Sequence, residues 1–521
     1  MNRKKTQIDK FMEYCKERKL SIAIIYLFVF AVYGAWAFQD FVSFDAEGFY
    51  SKETGIIWYT QWLELGRWAF CILKKILGVE VINPFFSITV FLICFPFSSV
   101  MWSYLFHLWG GFSSKVSSKY DIVIFGVIFL VHPIWTLQYA YRNQIEVFCI
   151  IMVLLPVSML AFTKWMEEKK VIYGVISMMG IVFCFSGYQS FIIVYIEAIA
   201  IYFLLYIMKV QCSEAIEKEF FNRLIRVAVY SIVAFVLYQL IFRLVCKFFL
   251  EDALAYDSYL SSVTKWKTES TLTCINNIVE FLKMSIAGDG KVYNCLFLIE
   301  IIVLCVITIH TFFQKKKLKI WQALVNIGVV LIPFLIVFVS ADKYMVSRSQ
   351  LAVVLAIAFL GKYELNYICD ILGKKVSKGC KQAVMIIILL CIVFPQMQMN
   401  TRLLYSDYKV LYNDYEMMSR IYNLALYKGA NEGDAIVFIG ERSNITDETV
   451  VEYEVIGFSY FEVTSLDPMK CIEAMQGYGF SVRQPSESEM QYAEGRKDSI
   501  PCWPSSDSVV VENGIIIVRL S

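Results

Sequence analysis

Hydrophobic positions along this chain fall into long runs separated by short polar segments. A helix that crosses a bilayer takes about 20 mostly apolar residues. On that criterion the sequence predicts about eleven spans. They lie near residues 20–38, 83–105, 120–135, 145–163, 171–187, 191–208, 227–248, 296–313, 321–340, 351–367 and 383–395. The first run lacks a small-residue cleavage site and further spans follow it, so it reads as a span and not as a cleavable signal.

Lysine and arginine in the short loops set the orientation. The N-terminus carries Arg3, Lys4, Lys5, Lys10, Lys16, Arg18 and Lys19, which places it in the cytoplasm. Span by span, the loops on that same side carry Lys115 and Lys119, then Lys164, Lys169 and Lys170, then Lys209, Lys218, Arg223 and Arg226. Lys315, Lys316, Lys317 and Lys319 follow, and then Lys374, Lys375, Lys378 and Lys381. The alternation holds along the whole chain, and an odd number of spans puts the C-terminus outside.

Three outer segments stand out, at 39–82, 250–294 and 341–350. Within the first, 68–77 reads as an amphipathic helix lying at the interface, and within the second, 273–285 reads as a surface helix. Beyond Gln396 charge, Gly and Ser rise and no further span appears. There the pattern predicts a helix at 406–428, a buried strand at 435–440, a helix at 468–478 and a hairpin turning at Asn513-Gly514. The fold expected is an all-α polytopic membrane protein, residues 1–395, with a small α/β domain outside the membrane, residues 396–521.

Composition agrees with that class: 58% of the residues are hydrophobic and the mean hydropathy is +0.57. The net charge of +2 offers no basis for a nucleic-acid partner; the partner implied by the apolar runs is the lipid bilayer. Fifteen cysteines are scattered singly and three histidines are dispersed, so neither a metal site nor a disulfide framework is indicated. There is no Walker loop and no Rossmann fingerprint, so no cofactor is expected. A transferase built this way must use a donor already in the membrane, a condition that a lipid-linked phosphate sugar meets.

The strongest chemical constellation is Ser43-Phe44-Asp45-Ala46-Glu47, just outside the first span. Asp45 and Glu47 are candidates for a general base on a sugar hydroxyl, or are two solvated loop acids. Arg67, after a Trp-rich stretch, and Arg348, in a short outer loop, either grip a phosphate or snorkel to headgroups. The segment Arg142-Asn143-Gln144-Ile145-Glu146 opens the fourth span. An ionisable Glu146 in an apolar run is a site candidate by default; the alternative is pairing with Arg142 one turn earlier. Tyr188-Gln189 lies in a polar break that is either a tight hairpin or a sugar-lining loop.

Together these residues resemble a known family. Asp45-x-Glu47, Gly66-Arg67, Asn83-Pro84, Gln144/Glu146, Tyr188-Gln189-Ser190 and Arg348-Ser349-Gln350 follow the pattern of bacterial multi-pass glucosyltransferases, the type II O-antigen glucosyltransferases and their relatives. The resemblance extends over nearly the whole chain and includes Tyr405–Tyr408, 456–461 and Trp503-Pro504. It implies a GT-C-like fold in the bacterial plasma membrane. The implied donor is a polyprenyl-phosphate-linked glucose and the implied acceptor a surface polysaccharide: O-antigen, teichoic acid or capsule. The acid would come from the first outer loop, Asp45 with Glu47, where the family pattern has adjacent aspartates and this chain has Asp-Ala-Glu. Arg67 and Arg348 would hold the donor phosphate, and Arg142, Gln144, Glu146, Tyr188 and Gln189 would contact substrate. The rivals are a lipid-linked glycan flippase or transporter and a polysaccharide polymerase. A transporter should show broken spans in matching halves; no such symmetry is visible, and the suspect residues gather at one membrane face.

Overall fold

The computed structural model describes residues 6–110, 121–210, 216–250, 264–313, 319–371, 376–443 and 448–521. The lysines expected in the inner loops at 111–120, 314–318 and 372–375 lie outside the described residues. So does 251–263 of the second outer segment.

Among the described residues, nine helices are long and apolar enough to cross a membrane. They are Lys19–Ala37, Pro84–Leu108, Arg142–Glu168, Ser190–Lys209, Lys218–Phe249, Leu296–Phe313, Lys319–Ser340, Leu351–Ile371 and Gly379–Tyr427. Two shorter apolar helices, Ile122–Val131 and Val171–Phe185, fall where the third and fifth runs were predicted. Leu351–Ile371 is the central helix, with 89% of its apolar window buried inside the bundle. Close packing at the helix Asp121–Val131 depends on Gly126, where a Cβ would stand 2.8 Å from Ile25 Cδ1.

Two predicted elements are corrected. The run at 120–135 is not one helix: it stops at Val131 and restarts as Ile134–Tyr139. Pro133 has no N–H to give to the carbonyl of Phe129 four residues earlier, and the Trp135 indole N–H donates to that carbonyl instead. Conversely, the span at 383–395 and the helix at 406–428 are one helix, Lys378–Tyr427, capped at its start by the Ser377 side chain. Its 50 residues rise about 75 Å, more than twice the hydrocarbon thickness. The helix therefore carries the chain from the bundle into the tail, across the 395/396 boundary.

The tail holds a three-stranded sheet, β1 (Ala435–Ile439), β2 (Val509–Glu512) and β3 (Ile515–Arg519), in the order β1-β3-β2. β1 and β3 are parallel, and β2 and β3 form the hairpin predicted from Asn513-Gly514. Both turn residues hold positive φ (54° and 73°), as a type I′ turn requires. The sheet packs on helix Pro468–Gly477 and on the end of the long helix. Phe41 and Val42 of the first outer loop are buried in this same core with Tyr460, Met475 and Ile516. The tail is thus docked on the loop that carries the candidate acids.

Candidate active site

One cavity of about 370 Å³ opens at the end of the bundle. Its walls come from Asp45, Trp58, Trp62 and Arg67, from Tyr141, Asn143 and Gln144, from Tyr188, Gln189 and Ser190, from Thr264, and from Met345, Arg348 and Ser349. These are all five of the loops that the Lys/Arg pattern assigns to the outer side. Among the described residues, none from a lysine-rich loop lines the cavity. Six of the sequence-predicted residues therefore meet here: Asp45, Arg67, Gln144, Tyr188, Gln189 and Arg348.

Two guanidinium groups lie over tyrosine rings. Arg67 lies 4.7 Å from the Tyr188 ring centroid and Arg348 lies 4.5 Å from that of Tyr141. Gly66, with φ +75°, turns the chain so that Arg67 enters the cavity; a Cβ there would stand 2.8 Å from the Tyr238 hydroxyl. Gln189 braces this turn. Its amide donates to the Leu65 carbonyl, and its Oε1 accepts from Arg67 Nε at 3.4 Å. Arg348 is paired to Glu454 of the tail (Nη1 to Oε2, 2.8 Å). Among the described residues these guanidinium groups keep N–H donors that no side chain takes, which suits a phosphate.

Asp45 sits at the tip of a turn, with φ +63° and the Ala46 N–H donating to the Ser43 carbonyl. The left-handed conformation is uncommon outside glycine and least costly for Asn and Asp. Asn143 Nδ2 donates to the Asp45 carbonyl at 2.8 Å, and the Arg142 N–H to Ser43 Oγ at 3.2 Å. The carboxylate itself pairs with Lys470 of the tail. Glu47 does not line the cavity. It is 2% exposed, accepts from the Tyr460 hydroxyl at 3.2 Å and lies 3.7 Å from Lys470 Nζ. Burial pushes the Glu47 carboxyl up to about 8, with Asp45 adding to the rise and Lys470 opposing it. Burial thus favours the protonated form of Glu47 at neutral pH, and Asp45 is the acid that faces the cavity.

A pH signature follows. Folded Glu47 keeps its proton up to about pH 8, whereas an unfolded glutamate releases it near 4.5. The folded state therefore binds more protons between those values, and its stability falls as pH rises through that window. Glu47→Gln should lack this slope, which unfolding temperatures of the two purified proteins between pH 5 and 8.5 will reveal.

Arg142 and Glu146 stand outside the cavity wall. The Arg142 guanidinium, 5.0 Å from the Trp36 ring, donates to the carbonyls of Gln39 and Trp36 and so ties off the end of the first span. Glu146 is not paired with Arg142, the alternative expected from the one-turn spacing. It pairs with Lys74 of helix Trp68–Leu77, and both side chains are fully buried. That helix was expected to lie amphipathic at the interface; its Lys74 is turned into the bundle. Removing one member of a buried pair strands the other charge, at a cost of roughly 3–5 kcal/mol. Lys74→Met should therefore unfold at a clearly lower temperature than wild type, and Lys74→Met with Glu146→Leu should recover much of the loss.

Three groups that border or complete the site went unrecognised in the sequence: Asn143, Glu454 and Lys470. The latter two are ordinary polar residues of a surface domain, and nothing local marks them.

Fold and cavity together define a multi-span membrane protein whose cavity, largely apolar in lining but bearing two arginines and one acid, is walled by loops and by helix residues such as Ile336 and Val339. The sequence model of the glucosyl transferase GtrII family matches residues 34–363, and the chain belongs to this family. No curated protein and no solved structure matches it. The protein is accordingly a membrane glucosyltransferase of the kind that acts on surface glycans.

Proposed function

We propose that this enzyme moves a glucosyl group from polyprenyl-phosphate glucose to a hydroxyl of an extracytoplasmic glycan: an O-antigen, teichoic acid or capsule chain. The N-terminus is cytoplasmic and the tail extracytoplasmic in a bacterial plasma membrane. The observation that carries the reading is the cavity's makeup, an aspartate and two arginines held over tyrosine rings, brought together from separate segments. A donor whose phosphate lies at the membrane surface and whose tail lies in lipid suits a cavity at the end of the bundle.

In this scheme Arg67 and Arg348 bind the donor phosphate, and Gln144, Tyr188 and Gln189 border the sugar. Asp45 takes the proton of the acceptor hydroxyl as its oxygen bonds to the anomeric carbon. The bond from that carbon to the phosphate oxygen breaks, and polyprenyl phosphate leaves with the electron pair, its charge met by the arginines. Glu47, protonated and buried, holds the loop beneath Asp45. Arg142 and Glu146 keep the loops in register.

Glycan composition of cells with and without this gene tests the reading. Loss of a glucose substituent from an otherwise intact glycan supports it. Loss of the whole glycan, as for a flippase or polymerase, contradicts it. The orientation has its own test: Cys502 is exposed on the tail and Cys471 is buried in it. An impermeant maleimide added to intact, wall-stripped cells should label the chain at Cys502 and not at Cys471. Labelling of Cys502 only after lysis contradicts an external tail.

A further inference from the structure

Two ion pairs at the cavity reach into the tail, beyond the residues 34–363 that the family shares. On one side Glu454, itself at φ +53°, accepts from the Ser347 N–H and the Arg348 N–H at Oε1 and from Arg348 Nη1 at Oε2. The neighbouring Tyr453 hydroxyl meets Ser347 Oγ at 2.8 Å. On the other side Lys470, on helix Pro468–Gly477, pairs with Asp45. Its Nζ stands 4.6 Å from the Phe44 ring centroid and 5.7 Å from that of Trp58.

We propose that the tail completes the active site, with Glu454 as the positioning residue of the donor arginine Arg348 and Lys470 as that of the base Asp45. The inference rests on the roles given to Asp45 and Arg348 above. Surface ion pairs hold little in place, but these are partly withdrawn from water: side-chain exposure is 24% and 12% for Arg348 and Glu454, and 20% and 27% for Lys470 and Asp45. Glu454 takes one corner of the guanidinium, which lies over the Tyr141 ring. Among the described residues no side chain takes the remaining N–H donors, so they are left for a phosphate. Lys470 fixes the Asp45 carboxylate at the tip of its turn, whose backbone Asn143 already holds. A site held this way is ordered before substrate arrives, which raises both affinity and rate.

The test uses full-length protein in detergent, polyprenyl-phosphate glucose as donor, and turnover per folded molecule checked by thermal unfolding. Glu454→Gln should raise donor KM about tenfold, the scale of one weakened charge-assisted hydrogen bond, with kcat within about twofold of wild type. It should add almost nothing in an Arg348→Ala background. Lys470→Met should lower kcat about tenfold with donor KM unchanged, and Lys470→Arg should recover most of it. Wild-type kcat and KM in either Glu454→Gln or Lys470→Met overturns the role given to that residue. Equal extra loss from Glu454→Gln with and without Arg348 shows a purely structural part for Glu454 and overturns it as well. If Asp45→Asn and Arg348→Ala themselves turn over at the wild-type rate, the failure lies in the reading of the site and not in the tail's part in it.

Discussion

Asp45→Asn is expected to abolish transfer, lowering kcat by about 10²–10⁴-fold, while donor binding is retained. A sugar hydroxyl is a poor nucleophile until its proton is removed as the new bond forms. The asparagine keeps the size of the side chain and its tolerance of positive φ, so the turn at φ +63° survives. What it loses is the ability to accept that proton. Glu47→Gln should fall far less, because Glu47 is buried outside the cavity and already carries a proton near neutral pH. Measuring both variants with purified lipid-phosphate sugar separates the two acids. The opposite order, a dead Glu47→Gln and an active Asp45→Asn, would move the base to Glu47.

Arg348→Ala is expected to lower kcat/KM for the donor by roughly 10–10²-fold, the scale of a lost hydrogen bond to a charged group. Arg348→Lys should recover little of this. An ammonium cannot reproduce the planar fork, cannot stack on Tyr141 as the guanidinium does, and cannot hold Glu454 and a phosphate from two sides at once. Both variants should insert and express like wild type. Unchanged donor kinetics in Arg348→Ala would reduce this residue to an anchor for the tail.

Much of the membrane part was readable from apolar runs, because spanning helices satisfy their own backbone and announce themselves by length and composition. Helix Trp68–Leu77 and the Asn513-Gly514 hairpin were readable for similar local reasons: amphipathic spacing in one and a turn needing two positive φ angles in the other. The errors share a cause as well. The partner of Glu146 is not Arg142 one turn earlier but Lys74, 72 positions earlier, which faces it only once the bundle is packed. Arg142 looked like a ligand-facing charge, but its guanidinium is spent on two carbonyls at the end of another helix. The long helix Lys378–Tyr427 was divided in two because its character changes from lipid-facing to polar along its length, while its backbone continues unbroken. Of the site, the single-loop motifs around Asp45, Arg67, Tyr188 and Arg348 could be picked out one at a time. Their convergence, and the arrival of Glu454 and Lys470 from the tail, are properties of tertiary structure alone.

The central claim is that sugar passes from a lipid phosphate to a glycan at this cavity. Its most direct test is a stoichiometric assay with purified, reconstituted protein, polyprenyl-phosphate glucose as the sole sugar donor, the acceptor glycan, and no nucleotide sugar. The account predicts one polyprenyl phosphate released per glucose attached, at a rate that collapses in Asp45→Asn. Transfer that requires a nucleotide sugar, or that proceeds from the lipid donor at the same rate without Asp45, would contradict it.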